Sequence, residues 1–146
     1  MCKNPDVNGS REILYQESVS NIESNNLHGF FEGWATAPSP ETLLHLLQGS
    51  NYVVLAMDQS SSAVVGFVTA LSDGVLSAYI PLLEVLPYYR GRGIGTELIN
   101  RILGLVDETY MVDLICDSQL ENFYSRLGFH AAFGMSIRRY DRQDGR

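Results

Sequence analysis

The residues most suggestive of chemistry in this sequence are three alternating glycines flanked by two arginines, in Val85-Leu86-Pro87-Tyr88-Tyr89-Arg90-Gly91-Arg92-Gly93-Ile94-Gly95-Thr96. The stretch leaves an apolar run, passes Pro87 and enters a helical stripe that begins at Ile94. Glycine lets a ligand approach the backbone closely, because no side chain stands in the way. The first N–H groups of a helix have no partner inside it and carry the positive end of its dipole, so the turn can hold a phosphate or pyrophosphate. Arg90 and Arg92 add positive charge to it. The plainer alternative is a tight strand-to-helix turn with solvated arginines. Two familiar nucleotide loops are excluded. The even spacing of Gly91, Gly93 and Gly95 is not G-x-G-x-x-G, and no lysine is present for a Walker loop.

Five other residues carry groups of interest: Glu84, Tyr124, Cys116, His28 and His45. Glu84 lies in the apolar run from Ile80 to Leu86. Burial there would raise a carboxyl towards the range of a general base, whereas an ion pair or exposure to water would leave it structural. Tyr124 shares a helical face with Leu120, Phe123 and Leu127, which by itself reads as a core aromatic. Cys116 follows Leu114 and Ile115, and its nearest histidine in sequence, His130, lies beyond the next helix. Free cysteines are among the most buried residues, so Cys116 is expected to pack in the core rather than act as a nucleophile. His28 and His45 have no partner at useful spacing and are expected at the surface or core edge.

The elements that must position these groups follow from periodicity and punctuation. Ile13 to Glu17 alternates as a strand, and Asn21 to Ala37 is expected to be helix followed by loop. Ser39-Pro40-Glu41 starts a helix with Ser as N-cap and Pro at its first position. Its buried stripe is Leu43, Leu44, Leu46 and Leu47, and Gly49 ends it. Tyr52 to Met57 and Ala63 to Leu71 form a hairpin, and Asp73-Gly74 turns the chain into a third run, Val75 to Leu86. Pro81 removes a ladder donor from that run and predicts a bulge or an edge. Ile94, Leu98, Ile102 and Leu105 form a helical stripe, and Tyr110 to Cys116 a strand. Ser118 and Glu121 suit a capping box for a helix closed by Gly128, and Phe133 to Tyr140 is expected to be a last strand. The order predicts a mixed α/β fold around one sheet.

The chain has 146 residues, the size of one domain, and residues 1–146 are read as such. Its net charge of −7 does not suit nucleic acid or an anionic membrane, and fits a neutral or cationic small molecule better. Cys2 and Cys116 cannot form a disulfide framework, and no metal-ligand spacing appears. Met1 to Tyr15 lacks the apolar stretch of a signal peptide, and the run Ala63 to Leu71 is far too short to span a bilayer. A cytoplasmic protein is the expectation.

The glycine turn reads Arg90-x-x-Gly93-x-Gly95 after Val85-Leu86-Pro87. It resembles the acyl-CoA loop of the GNAT superfamily of N-acetyltransferases. A second block, Asp117-Ser-Gln-Leu120-Glu-Asn-Phe-Tyr124-Ser-Arg-Leu-Gly128-Phe129, resembles the family's Asn-x-x-Ala-x-x-x-Tyr-x-x-x-Gly-Phe. With the matching order of elements, the resemblance covers roughly Val64 to Tyr140. Asp117 stands where the family usually has Asn, and Leu120 where it has Ala.

The resemblance implies a central, mostly antiparallel twisted sheet with a splayed parallel strand pair, flanked by helices. It implies acetyl-CoA as co-substrate, without a metal, and a direct ternary-complex transfer to an amine of a small molecule or peptide. Val85 would present its N–H to the thioester oxygen, with Arg90, Gly91, Arg92, Gly93, Ile94, Gly95 and Thr96 around the phosphates. Asp117 and Phe123 would flank the cofactor, and Tyr124 would protonate the leaving thiolate. Several relatives carry a Glu base at the position of Tyr79, which leaves Glu84 as the candidate base here. Phe30, Phe31 and Trp34 would lie over the acceptor with Tyr79, or simply pack under a loop. Dimerisation through the last strands is common in the family, so a homodimer is compatible with the chain. A catalytically silent acyl-CoA-binding or sensor module is the alternative function.

Overall fold

A computed structural model describes residues 11–146; Cys2 and the polar stretch up to Ser10 lie outside the described residues. Five strands form one sheet in sequence order: β1 (Ile13–Gln16), β2 (Tyr52–Asp58), β3 (Val64–Ser72), β4 (Ser77–Val85) and β5 (Met111–Leu114). The first four pair antiparallel, and β5 runs parallel to β4. Helix α1 (Pro40–Gly49) covers one face of the sheet, and α2 (Ile94–Leu105) covers the other. The short α3 (Glu121–Ser125) packs beside α2. The architecture is mixed α/β, as the element order predicts, with the mostly antiparallel sheet and one parallel pair that the resemblance implies.

Local chemistry explains the helix starts. The Ser39 hydroxyl accepts the Thr42 N–H at 3.1 Å, and Pro40 occupies the first turn of α1. Leu43 and Leu47 then sink into a core with Leu55, Phe67 and Val53. On the opposite face Ile94, Leu98, Ile99 and Ile102 of α2 pack on Val54, Val65 and Val68. Covered on both sides, the middle of β2 and β3 is continuously apolar.

Pro81 sits in a bulge. Thr69 pairs with Leu82 and Leu71 with Tyr79, so β4 carries one more residue than β3 across this interval. The extra residue reverses parity. Tyr79 and Glu84, five positions apart, therefore share the α1 face with Leu71 and Phe67, their directly opposed partners. Parallel pairing with β5 runs only from Ser77↔Met111 to Ile80↔Leu114. The Leu86 N–H donates to Val65 O, so by alternation Pro81, Leu83 and Val85 turn their backbone away from β3, towards β5. Pro81, the first of these, has no N–H to give. Beyond it the strands part.

Several expectations are corrected. Asn21 to Ala37 is not helical beyond a single 3-10 turn at Ser24–Asn26. Gly29, Phe31 and Gly33 all have positive φ, which a right-handed helix cannot accommodate. No capping box forms at Ser118 and Glu121. Ser118–Leu120 is a 3-10 turn that feeds the five-residue α3, and neither has a side-chain N-terminal cap. Gly128 does close that segment with φ +96°, and the Phe129 N–H returns to Tyr124 O. Phe133 to Tyr140 pairs with nothing in the sheet. The chain just beyond it is tied to the loop that precedes α1, where Gln143 Oε1 accepts the Thr36 N–H at 3.0 Å. Cys116 is exposed, because β5 stops at Leu114 and leaves it beyond the core.

Gly66 on β3 lets α2 lie close to the sheet. A Cβ there would stand 3.2 Å from Leu98 Cδ1, 3.3 Å from the Glu84 carbonyl oxygen and 3.4 Å from Ile94 Cγ2. Gly66→Val is expected to overpack this contact and cost about 1–3 kcal/mol in a urea titration. An unchanged midpoint would show that α2 is not seated so near β3.

Candidate active site

The strand-to-helix turn opens where β4 and β5 part. Pro87–Tyr89 makes one 3-10 turn, then Gly91 and Gly93 adopt φ of +73° and +81°. Gly93 is the left-handed N-cap of α2, and no side chain caps the helix. A Cβ at Gly93 would have nothing within 4 Å. The N–H groups of Ile94, Gly95 and Thr96 thus begin the helix without an intrahelical acceptor, beside open space. That uncapped positive end fits an anionic group such as a pyrophosphate. The Ile94 side chain is buried in the core and Thr96 is exposed, so Ile94 offers only its backbone.

The arginines of the turn are held, not loose. Arg90 Nε donates to Val85 O at 2.9 Å, and its Nη1 pairs with Glu32 Oε2 at 3.2 Å. Arg92 donates to Tyr88 O at 3.1 Å, and its guanidinium lies 4.9 Å and 5.3 Å from the Tyr88 and Tyr89 ring centres. Glu32 is a partner that the sequence reading missed. Its signal is an acid between the two turn-forming glycines Gly29 and Gly33.

Tyr124 lies on the α2 side of the sheet, 9% exposed. Its ring meets Phe123 edge-on at 4.9 Å and Phe129 at 5.7 Å. Phe123 reaches the start of α2, where its Cζ would stand 3.5 Å from a Cβ on Gly95, with Val85 Cγ2 at 3.9 Å. Burial pushes the Tyr124 phenol up to about 12, and the nearby Cys116 adds to the rise. The hydroxyl is therefore a proton donor throughout the neutral range. Asp117 is exposed at the head of the 3-10 turn before α3.

Glu84 faces the opposite side. Its Oε1 and Oε2 accept the Phe31 N–H at 2.8 and 2.9 Å, and Oε1 also receives the Glu32 N–H at 3.4 Å. The carboxylate is neither ion-paired nor free; it pins a loop whose Phe31 has φ +64°, an uncommon conformation for a bulky residue. Phe30 and Phe31 are buried against Phe67, with ring centres 5.1 and 6.4 Å away. Trp34, its ring tilted against Phe31 at 4.9 Å, keeps 41% of its surface exposed. Tyr79 is also exposed, opposite Asp113 in the last paired stretch of β4 and β5. Glu84 and Tyr124 thus lie on opposite faces of the sheet, with the parting of the strands between them.

The chain matches the model of the acetyltransferase (GNAT) domain over residues 16–139. It belongs to the GNAT family and is an acetyl-CoA-dependent N-acetyltransferase. It is similar to a candidate acetyltransferase of Deinococcus radiodurans R1, with 47% identity, a TM-score of 0.89, and coverage of 91% of this chain and 92% of that one. A GNAT family acetyltransferase of Streptococcus pneumoniae TIGR4 is 29% identical with a TM-score of 0.70, over 88% of this chain and 99% of that one. The N-acetyltransferase ycf52 of Pyropia yezoensis, itself uncharacterised, is 26% identical over 80% of this chain and 70% of its own length. Family membership implies acetyl-CoA as co-substrate. Among the described residues no helix is long and apolar enough to cross a membrane, and no cluster of three or more His, Cys, Asp or Glu could hold a metal ion.

Trp34 is the only tryptophan in the sequence and reports on the pinned loop. Glu84→Ala is expected to red-shift its fluorescence and increase acrylamide quenching, while stability falls by about 1.5–3 kcal/mol for lost bonds to a charged acceptor. Wild-type emission in a folded variant would show that the loop holds its shape without Glu84.

Proposed function

We propose that the chain transfers the acetyl group of acetyl-CoA directly to a primary amine of a small molecule or peptide, in a ternary complex, with Tyr124 as general acid. The observation that carries this reading is the convergence at one opening. The outward-turned Val85 backbone, the uncapped start of α2 and the Phe123–Tyr124 pair adjoin there. In this reading the backbone from Gly91 to Thr96 cradles the phosphates, assisted by Arg90 and Arg92, while Asp117 and Phe123 flank the CoA arm. The Val85 N–H donates to the thioester oxygen as charge develops on it. The amine forms the new C–N bond, the C–S bond breaks, and the Tyr124 O–H gives its proton to the departing sulfur. The proton lost from nitrogen passes to water and the phenol is reprotonated from solvent. Glu84, with both oxygens occupied by loop amides, acts by holding the acceptor side in place, where Trp34 offers exposed aromatic surface next to the buried Phe30 and Phe31, and Tyr79 is exposed further along β4.

Tyr124→Phe keeps the ring and deletes one hydroxyl. With acetyl-CoA and a panel of amines, kcat is expected to fall by about 10²–10⁴ while the KM for acetyl-CoA changes little. Normal turnover in the variant would hand the proton to water and reduce Tyr124 to packing. Tight binding of acetyl-CoA without turnover on any amine, by the unmodified chain, would favour the silent sensor module.

The unpaired segment supports a second copy of this chain as partner. Phe133, Met135 and Ile137 alternate along it and are 94%, 88% and 78% exposed. Arg126, Arg138 and Arg139 lie on or near it, whereas the open side of β5 is flanked by exposed Asp107, Glu108, Asp113 and Asp117. Apolar alternation with opposite charge suits addition of this segment to the β5 edge of another copy. Ile137→Glu is expected to leave a monomer in light scattering where the unmodified chain is a dimer. A monomeric unmodified chain at micromolar concentration would rule this pairing out.

A further inference from the structure

A carboxylate with no place in the chemistry described above is completely buried at the end of β2. Asp58 has 0% exposure. Its Oδ1 accepts the Ser60 N–H at 2.8 Å and the Ser60 hydroxyl at 2.5 Å. Its Oδ2 accepts the Tyr89 phenol at 2.6 Å. Arg11 Nη1 closes the set, 3.1 Å from the Tyr89 oxygen and 3.5 Å from Asp58 Oδ2. Burying a charge is costly unless its hydrogen bonds are complete, and an apolar pair of similar volume would hold the same space at least as well. A directional tie at this point calls for a reason beyond stability.

The reason lies in the position of Tyr89 along the chain. It is the last residue of the 3-10 turn that leads into Arg90, Gly91, Arg92 and Gly93. Its N–H returns to Leu86 O at 2.9 Å, and its ring, buried on the α2 side, carries the Arg92 guanidinium on its face. Tyr88 beside it takes the same guanidinium, and Arg11 lies 5.5 Å over the Tyr88 ring. Gly91 and Gly93 give the turn freedom, so its geometry must be imposed from outside it. Asp58 reaches it from β2, on the far side of β3 from β4. We propose that Asp58 is a positioning residue for acetyl-CoA: through the Tyr89 hydroxyl it fixes the entry of the phosphate turn and the rest position of Arg92. The Ser60 and Tyr89 hydrogen bonds hold its carboxyl down to about 2 against the effect of burial, so it is a full anionic acceptor at neutral pH.

The inference rests on the acetyl-CoA reading of the turn, and calorimetry with acetyl-CoA separates the two. Tyr89→Phe removes the bonded hydroxyl and keeps the ring; Asp58→Asn keeps an oxygen acceptor; Asp58→Leu keeps volume only. With the fold checked by circular dichroism, Tyr89→Phe and Asp58→Leu are expected to weaken acetyl-CoA binding by about tenfold or more, the scale of a small displacement of positioning groups. Asp58→Asn should recover part of that loss. In steady-state assays the loss should fall on the KM for acetyl-CoA, while kcat at saturation and the KM for the amine stay within about twofold. Folded Tyr89→Phe and Asp58→Asn proteins with unchanged acetyl-CoA affinity would overturn the proposal and leave Asp58 a structural tie. An equal loss in kcat and in amine KM would overturn it as well. No binding of acetyl-CoA by the unmodified chain would instead remove the phosphate reading of the turn itself.

Discussion

Everything at the site depends on the failure of β4 and β5 to stay paired. A parallel ladder needs a donor at every other position, and the position where pairing stops is Pro81, which has none on the side that faces β5. The bulge at the same place turns Glu84 to the α1 face and leaves the Leu83 and Val85 backbone turned towards the gap. Desolvated peptide groups without partners are expensive in a protein interior. Here the Val85 oxygen is taken by Arg90 Nε, and the other groups border an opening, where a bound amide-bearing chain can satisfy them. One proline thus creates the slot and orients its wall.

Around the slot the chain places two carboxylates at the ends of strands, Asp58 buried and Glu84 partly buried, where each fixes an irregular segment. Glu84 holds the Gly29–Gly33 loop by its amides, and Asp58 holds the Pro87–Tyr89 turn by a phenol. Both segments carry or adjoin glycines with positive φ and have little regular structure to define them. The two are also joined at the surface by the Arg90–Glu32 pair. An exposed pair of this kind contributes only about 0–1 kcal/mol, so it keeps Arg90 near the turn without locking it there. The ties made by the two carboxylates are the stronger ones, and the weak Arg90–Glu32 pair lies at the mouth. Thr69 shows the contrast: its hydroxyl is buried in β3 without a hydrogen-bond partner, and nothing in the structure explains it.

Much of this was legible in the sequence because the relevant signals are local. Ser39-Pro40 specifies a helix start through its own atoms, and the Ile94 stripe specifies a buried helix face through spacing alone. The Arg90-x-x-Gly93-x-Gly95 turn and the Tyr124 block pointed to the family, because a backbone with positive φ at Gly91 and Gly93 tolerates few residue types. Pro81 announced its bulge because a missing N–H is a property of one residue. The same locality misled at the last strand and at Cys116. Phe133 to Ile137 alternates correctly for a strand, yet a strand forms only against an available edge, and the anchored chain end holds the segment elsewhere.

Sequence alone therefore determined the elements with internal signals: helices α1 and α2, the hairpins, the glycine turn between β4 and α2, and the family. Tertiary structure decided which groups meet. Asp58 and Tyr89 are 31 residues apart, Phe31 and Glu84 are 53, and no pattern in either neighbourhood points to the other. Their pairing follows from strand order and register, and a single bulge sets the face on which Glu84 lands. A carboxylate's role depends on what surrounds it in space. The sequence could name Glu84 as a candidate, but only the folded sheet could show that its oxygens are occupied by the backbone of a distant loop.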